Sequence, residues 1–184
     1  MLGLGIVMKP LLLLFITLIS LGCSHEDITA AGVIAYAQED GRRYLLLADH
    51  TGLQSHRGYG AFGGGLDKGE TFEQGALREF HEETGCHFLG KLQLVSKEYV
   101  RNDHYVSFVV RVPYISSEQL NNASSYQGCS GTAYSERKNY IWVEQSQLAQ
   151  HLQNGGQLIV NGVNVSMWDK SSEVIKLAIT QGLL

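Results

Sequence analysis

The chain of 184 residues has little proline, few cysteines and no excess of basic side chains. Two prolines, 44% hydrophobic and 17% charged residues exclude collagen-like and proline-rich disordered classes. The formal charge of −4 argues against duplex nucleic acid as a partner, because such binding needs many Lys and Arg contacts to phosphate. Small anionic ligands remain compatible, since a bound cation can supply positive charge locally. No internal repeat interrupts the chain, and its length predicts one compact domain with a short appendage.

The three cysteines, Cys23, Cys86 and Cys129, form no CxxC pair and no Cys/His cluster. This spacing argues against a structural zinc site. In an oxidising compartment Cys86 and Cys129 can pair. The alternative is a small buried apolar residue at 86 and a loop thiol at 129. We favour this alternative, because the sequence does not reveal whether the two residues are close.

The longest apolar run, Leu11–Leu21, follows Lys9 and has 11 residues, whereas spanning a bilayer takes about 20. It has the form of the hydrophobic part of an export signal. The junction Leu21-Gly22-Cys23-Ser24 resembles a bacterial lipoprotein signal, in which the cysteine is lipidated, although Ser20 stands where leucine is usual. The resemblance implies a signal over 1–23 and attachment of 24–184 to the outer side of a membrane through Cys23. An ordinary signal peptide, which gives a soluble periplasmic or secreted protein, and an uncleaved anchor are the alternatives.

The remainder of the chain alternates between strand and helix patterns. Strands are predicted at 27–37, 42–48, 92–100, 105–112 and 139–143, and a hairpin at 157–160 and 163–167 turns at Asn161-Gly162. Helices are predicted at 71–84, 145–153 and 171–181, and 116–137 has the polar composition of a long loop with room for one helical turn. Mixed strands with a few helices predict an α/β or α+β sandwich.

The helix over 71–84 has the clearest boundaries in the chain. Thr71 and Gln74 have the spacing of a capping box, and Gly85 is placed to end the helix in a left-handed turn. Before it, the segment 58–69 is dense in glycine, which predicts unusual backbone conformations or close approach of another group.

Three glutamates, Glu79, Glu82 and Glu83, lie on one face of this helix because they are spaced i, i+3 and i+4. Like charges at this spacing destabilise a bare helix. A divalent cation would convert the repulsion into binding, and carboxylate oxygens suit Mg²⁺ or Mn²⁺. Magnesium in turn suits phosphate chemistry. Taken alone, three glutamates at this spacing form a solvated acidic helix face more often than a metal site.

The surrounding stretch, residues 64–86, reads GGLDKGETFEQGALREFHEETGC. It resembles the Nudix box, G-x5-E-x7-R-E-U-x-E-E-x-G-U, where U is a bulky apolar residue. All exact positions match, namely Gly64, Glu70, Arg78, Glu79, Glu82, Glu83 and Gly85. Phe80 is aromatic where the family usually has an aliphatic residue, and Cys86 departs from the pattern at the last position. A motif of this length is far more specific than a short glycine pattern.

The resemblance implies a Nudix-type α/β/α sandwich with a mixed sheet and a catalytic loop–helix–loop. It also implies divalent-metal-dependent hydrolysis of a pyrophosphate bond in a nucleoside diphosphate linked to another moiety. A metal-activated water would attack phosphorus. The intact carboxylates argue against the alternative of a non-catalytic nucleotide sensor. Release of a terminal phosphate from a nucleoside triphosphate is a further alternative.

The resemblance also implies residue roles. Glu82 and Glu83 would bind Mg²⁺ or Mn²⁺, and Glu79 would bind the metal or act as general base. The carbonyl of Gly64 would be a further ligand. Arg78 would orient Glu79 and pair with Glu70, which with Gly85 supports the site.

Outside the box the candidates are less specific. Many family members place a further glutamate on a distant loop, and Glu136 is our candidate, with a plain loop carboxylate as the alternative; Asp103 and Glu98 are weaker candidates. Base stacking is open to Tyr59, Phe62, Tyr99 and Tyr105, and phosphate contact to Arg57 and Arg101, although core packing or surface scatter accounts for each. The histidines His50, His56, His81, His87 and His104 show no ligand pattern.

Overall fold

The structure, a computed structural model, describes residues 27–50, 57–124 and 128–184. The predicted signal and its lipidation site Cys23 lie outside the described residues. Within these ranges, no helix has the length and apolar character needed to cross a membrane.

Nine strands and four α-helices occur in the described parts of the chain. The strands are β1 (Ala30–Glu39), β2 (Arg42–His50), β3 (Tyr59–Gly60), β4 (Phe62–Gly65), β5 (Gln93–Asn102), β6 (Tyr105–Arg111), β7 (Arg137–Glu144), β8 (Leu158–Val160) and β9 (Val163–Val165). The helices are α1 (Phe72–Glu83), α2 (Ser117–Asn122), α3 (Gln145–Asn154) and α4 (Asp169–Thr180), and a 3₁₀ turn covers Ala133–Ser135.

Strands β1 to β7 form one mixed sheet. Its main path is β3-β2-β1-β6-β5, in which β1 and β6 are parallel and the other neighbours are antiparallel. Strand β4 pairs with β1, and β7 pairs with β2. Strands β8 and β9 form a separate hairpin. The pairing of β4 with β1 is what carries the glycine-rich segment to the centre of the fold.

Two apolar clusters lie on opposite faces of this sheet. Val33 of β1 belongs to the cluster that contains Phe80 of α1, whereas its neighbour Ile34 belongs to the cluster that contains Ile175 of α4. Because successive strand residues point to opposite faces, helices cover the sheet on both sides. The predicted α/β/α sandwich with a mixed sheet is therefore confirmed.

The polar and glycine-rich segments contain more regular structure than the sequence predicted. The segment 58–69 supplies β3 and β4, and the predicted loop 116–137 contains α2 and the 3₁₀ turn. Helix α2 begins at a second capping box, formed by Ser116 and Gln119. The hairpin turn was predicted correctly, since Asn161 and Gly162 both have positive φ, at 49° and 80°.

One prediction about the cysteines was wrong. Cys86 and Cys129 form a disulfide, with their Cα atoms 6.2 Å apart. After α1, Gly85 and Cys86 both adopt left-handed backbone conformations, at φ 56° and 61°. The chain therefore turns sharply and carries Cys86 to the loop that precedes β7, a neighbour that local sequence does not reveal.

Candidate active site

Helix α1 presents the glutamates because its start is fixed and one side is buried. Thr71 Oγ1 accepts a hydrogen bond from Gln74 N at 3.2 Å, and Gln74 Oε1 accepts one from Thr71 N at 2.9 Å. Ala76 and Phe80 are fully buried against the sheet. The helix is thereby fixed in rotation, so its carboxylates line the edge of the β4 segment.

Arg78 holds three carboxylates together. Its Nε donates to Glu70 Oε1 at 2.8 Å, and Nη2 donates to Glu70 Oε2 at 3.0 Å and to the Gly65 carbonyl at 2.8 Å. Its Nη1 donates to Glu79 Oε1 at 2.9 Å and to Glu82 Oε2 at 3.2 Å. The hydrogen bond with Glu70 is the main cause of a raised Arg78 pKa, and in return it lowers the pKa of Glu70.

The carboxylate of Glu79 lies directly against the backbone of Gly64. A Cβ on Gly64 would stand 2.5 Å from Glu79 Oε2, so this approach requires glycine. Burial is the main cause of a raised Glu79 pKa, and the negative charges of Glu82 and Glu136 raise it further. Glu136 is exposed and follows the 3₁₀ turn, which packs against α1. The structure thus brings Glu136 towards the glutamates of the box.

Glu83 is in a different environment, because it is 2% exposed. Its Oε2 accepts a hydrogen bond from Gly63 N at 2.7 Å, and its Oε1 accepts one from Arg137 Nε at 2.7 Å. Burial raises the pKa of Glu83 to about 7, although Arg137 and the Gly63 N–H both oppose that shift. Tyr140 donates to the backbone carbonyl of Glu83 at 2.5 Å.

Arg137 was not among the site residues predicted from the sequence, and its side chain is 1% exposed. Besides Glu83 it donates to the Ala61 carbonyl at 2.9 Å and to the Ala48 carbonyl at 3.4 Å. The one indication in the sequence that Arg137 is near the site was its position next to the candidate Glu136. Nothing in the box predicts a second arginine among its carboxylates.

The glutamates fit a divalent cation by the chemistry of their donors. Within the described residues, no three Asp, Glu, His or Cys side chains are arranged so that they could coordinate one metal ion. The carboxylates of Glu79, Glu82 and Glu83 are instead paired with guanidinium groups. One nitrogen of Arg78 bridges Glu79 and Glu82, so a cationic group already joins these two carboxylates. A carboxylate has about four acceptor positions, and the hydrogen bonds to Glu83 occupy three. Glu83 therefore keeps one position for a metal.

A pocket of about 410 Å³ opens beside these residues, between β4, the β5–β6 turn and the start of α4. Its wall includes Gly63, Gly64, Asp103, Tyr105, Arg137, Trp168 and Lys170. Among the aromatic candidates, Phe62 is fully buried and packs on Phe80 and Tyr140, so its ring is closed to a ligand. Tyr105 donates to the Phe62 carbonyl at 3.1 Å. The pocket lining includes Asp103 but not Glu98.

The NUDIX domain family matches this chain over residues 27–157. The chain belongs to the Nudix family. Among solved structures, it is similar to the Nudix hydrolase RenU of M. smegmatis, with 16% identity, a TM-score of 0.55, and coverage of 85% of this chain and 87% of that one. A C. elegans Ap4A hydrolase binary complex gives 14% identity, a TM-score of 0.50, and coverage of 85% and 99%.

A MutT/nudix family protein of Enterococcus faecalis gives 16% identity, a TM-score of 0.51, and coverage of 85% of this chain and 62% of that one. No curated protein matches the sequence. At these identities the solved structures establish the Nudix fold, while the activity has to be argued from the site itself.

Proposed function

We propose that the chain is a divalent-metal-dependent pyrophosphohydrolase that acts on a nucleoside diphosphate linked to another moiety. One observation carries the proposal: the Nudix box is complete, and its folded residues converge. The Glu79 carboxylate lies over Gly64 and shares Arg78 with Glu82. This is a set of oxygen donors suited to Mg²⁺ or Mn²⁺, next to an open pocket.

Glu82, Glu83 and the Gly64 carbonyl would hold the metal, with Glu79 either a further ligand or the general base. When bound, the cation supplies an activated water and positive charge that offsets the charge developing on the pyrophosphate. Arg78 grips Glu70 through its Nε and Nη2 and orients Glu79 through Nη1, an arrangement that a lysine has no geometry to reproduce. The pocket side offers Lys170 as positive charge near the phosphates.

Glu79 and Glu136 are the two candidates for general base. Glu79 is partly buried and has a raised pKa, which moves it towards the range in which a base works best. Glu136 is exposed at the end of the 3₁₀ turn and adds its charge to the same site. Glu79 would accept the proton if it does not bind the metal, and Glu136 would do so otherwise.

Turnover with a substrate panel tests the proposal. The full chain, purified in mild detergent, is incubated with Mg²⁺ and nucleoside triphosphates, nucleotide sugars, ADP-ribose, dinucleoside polyphosphates or NADH. Phosphorus NMR of the products separates cleavage within a diphosphate from release of a terminal phosphate. We expect metal-dependent turnover that is lost in Glu82→Gln and Glu83→Gln but kept in Glu73→Gln, a matched change in the same helix.

The opposite outcome is equally informative. If no compound is hydrolysed and one ligand binds tightly in all three variants, the chain is a nucleotide sensor and the catalytic proposal fails.

We further propose that the protein is exported and held at the membrane through a lipidated Cys23. The Cys86–Cys129 disulfide supports an oxidising compartment independently of the signal-like segment. Expressing cells should incorporate labelled fatty acid into the wild-type chain but not into Cys23→Ser. Recovery of unlabelled wild-type protein in the soluble periplasmic fraction would favour an ordinary signal peptide instead.

A further inference from the structure

We propose that Arg137 is a positioning residue of the metal site: through Glu83 it fixes the metal-binding face of α1 against β4. The inference rests on the proposed function. Arg137 lies outside the Nudix box, so the box pattern gives it no role.

The first argument is the number of elements that Arg137 joins. It begins β7, donates to the Ala48 carbonyl of β2 and to the Ala61 carbonyl beside β4, and binds both carboxylate oxygens of Glu83 at the end of α1. Its guanidinium also stands 5.6 Å from the ring centre of Phe62. One buried side chain therefore couples three parts of the sheet to the helix that carries the glutamates.

The second argument is the effect on Glu83. A carboxylate that is 2% exposed is costly to bury without a partner, and here both oxygens are held in a plane by the arginine fork. The same carboxylate accepts from Gly63 N, next to Gly64, which lies under Glu79. Glu83 is thus fixed relative to the backbone that would supply the carbonyl ligand, and it retains one acceptor position.

The third argument is the contrast with Arg42. Arg42 also forms an ion pair between neighbouring strands, with Glu144 at 3.4 Å, but its side chain is 64% exposed. Exposed ion pairs of this kind contribute little to the stability of the fold. Loss of a group that orients a metal ligand typically lowers metal affinity or activity by roughly 10- to 100-fold. Arg42 therefore supplies a matched control for the same substitution.

The test measures Mn²⁺ binding by electron paramagnetic resonance, without substrate, and then kcat and KM. The full chain in mild detergent is compared with Arg137→Met, Arg137→Lys and Arg42→Met. We expect Arg137→Met to raise the Mn²⁺ dissociation constant and to lower kcat, together by roughly 10- to 100-fold, with KM little changed. The Mn²⁺ dissociation constant and kcat of Arg137→Lys should lie between those of the wild type and Arg137→Met, because lysine keeps the charge without the guanidinium fork. Arg42→Met should have wild-type values.

Three results would overturn the inference while leaving the proposed function intact. A folded Arg137→Met with a lower melting temperature but wild-type Mn²⁺ affinity and kcat would make Arg137 a purely structural residue. Tighter Mn²⁺ binding in that variant would make it a competitor of the metal. If Arg137→Met does not fold, Arg137→Lys decides, and wild-type values in it refute the positioning role. A wild-type chain that binds no Mn²⁺ would instead refute the proposed function, and the inference with it.

Discussion

Removing the Cys86–Cys129 disulfide should lower the free energy of unfolding by about 4 kcal/mol. The bond closes a loop across a sequence separation of 43 residues. In the chain-entropy description, a loop of this length restricts the unfolded chain by about 13 cal/mol/K, or about 4 kcal/mol at 25 °C. For a domain of this size, that loss corresponds to a fall in melting temperature of roughly 8–16 °C.

Urea unfolding followed by tryptophan fluorescence measures this effect. Alanine is the replacement at both positions, because Cys86 is buried and serine would bury a hydroxyl group. Reduced wild-type protein should unfold at the same urea concentration as the double alanine variant. Cys23→Ala should unfold at the same urea concentration as the oxidised wild type. A double variant within about 1 kcal/mol of the oxidised wild type would contradict the entropic argument. A thiol titration of unlipidated chain, unfolded without reducing agent, tests the disulfide itself. Three reactive thiols would show that the disulfide is absent.

Three single substitutions test the construction of α1 and its surroundings. Gly64→Ala should lower kcat roughly 100-fold, because its Cβ would displace the Glu79 carboxylate, whereas Gly65→Ala, with no atom within 4 Å of its Cβ, should stay active in the same assay. Thr71→Ala should cost about 1 kcal/mol in urea unfolding, since it removes the helix cap. Tyr140→Phe should cost about 1 kcal/mol by the same measurement, because it removes a buried hydrogen bond to the last carbonyl of α1.

Helix α1 and its glutamates were predictable because their signals are local. The capping box, the i, i+3 and i+4 spacing and the closing Gly85 all lie within one short stretch, and the structure places the helix at Phe72–Glu83. The hairpin at Asn161-Gly162 was predictable for the same reason, since two residues determine its turn. The order of strands and helices predicted an α/β or α+β sandwich, and the resemblance to the Nudix box specified the α/β/α form.

The partners of Glu83 and Cys86 were not predictable, because they are distant in sequence. Arg137 lies 54 residues from Glu83, and Cys129 lies 43 residues from Cys86. Each contact depends on how β7 pairs with β2 and on how the loop before β7 returns to α1. A single sequence carries no periodic signal for such pairings, whereas the fold brings both to the same end of the same helix.

The charges gathered around α1 give a physical reason for a divalent cation. Four carboxylates whose side chains are at most 23% exposed, those of Glu70, Glu79, Glu82 and Glu83, share two guanidinium groups, those of Arg78 and Arg137. Asp67, which is 76% exposed, adds a longer contact to Arg78 at 3.6 Å. With these four glutamates and two arginines ionised, the negative charges exceed the positive ones by two, which is the charge of one divalent ion. Burial is the main cause of the raised pKa values of Glu79 and Glu83, and neighbouring carboxylates raise both pKa values further. Arg78 and Arg137 therefore limit the repulsion to what a single Mg²⁺ or Mn²⁺ can offset.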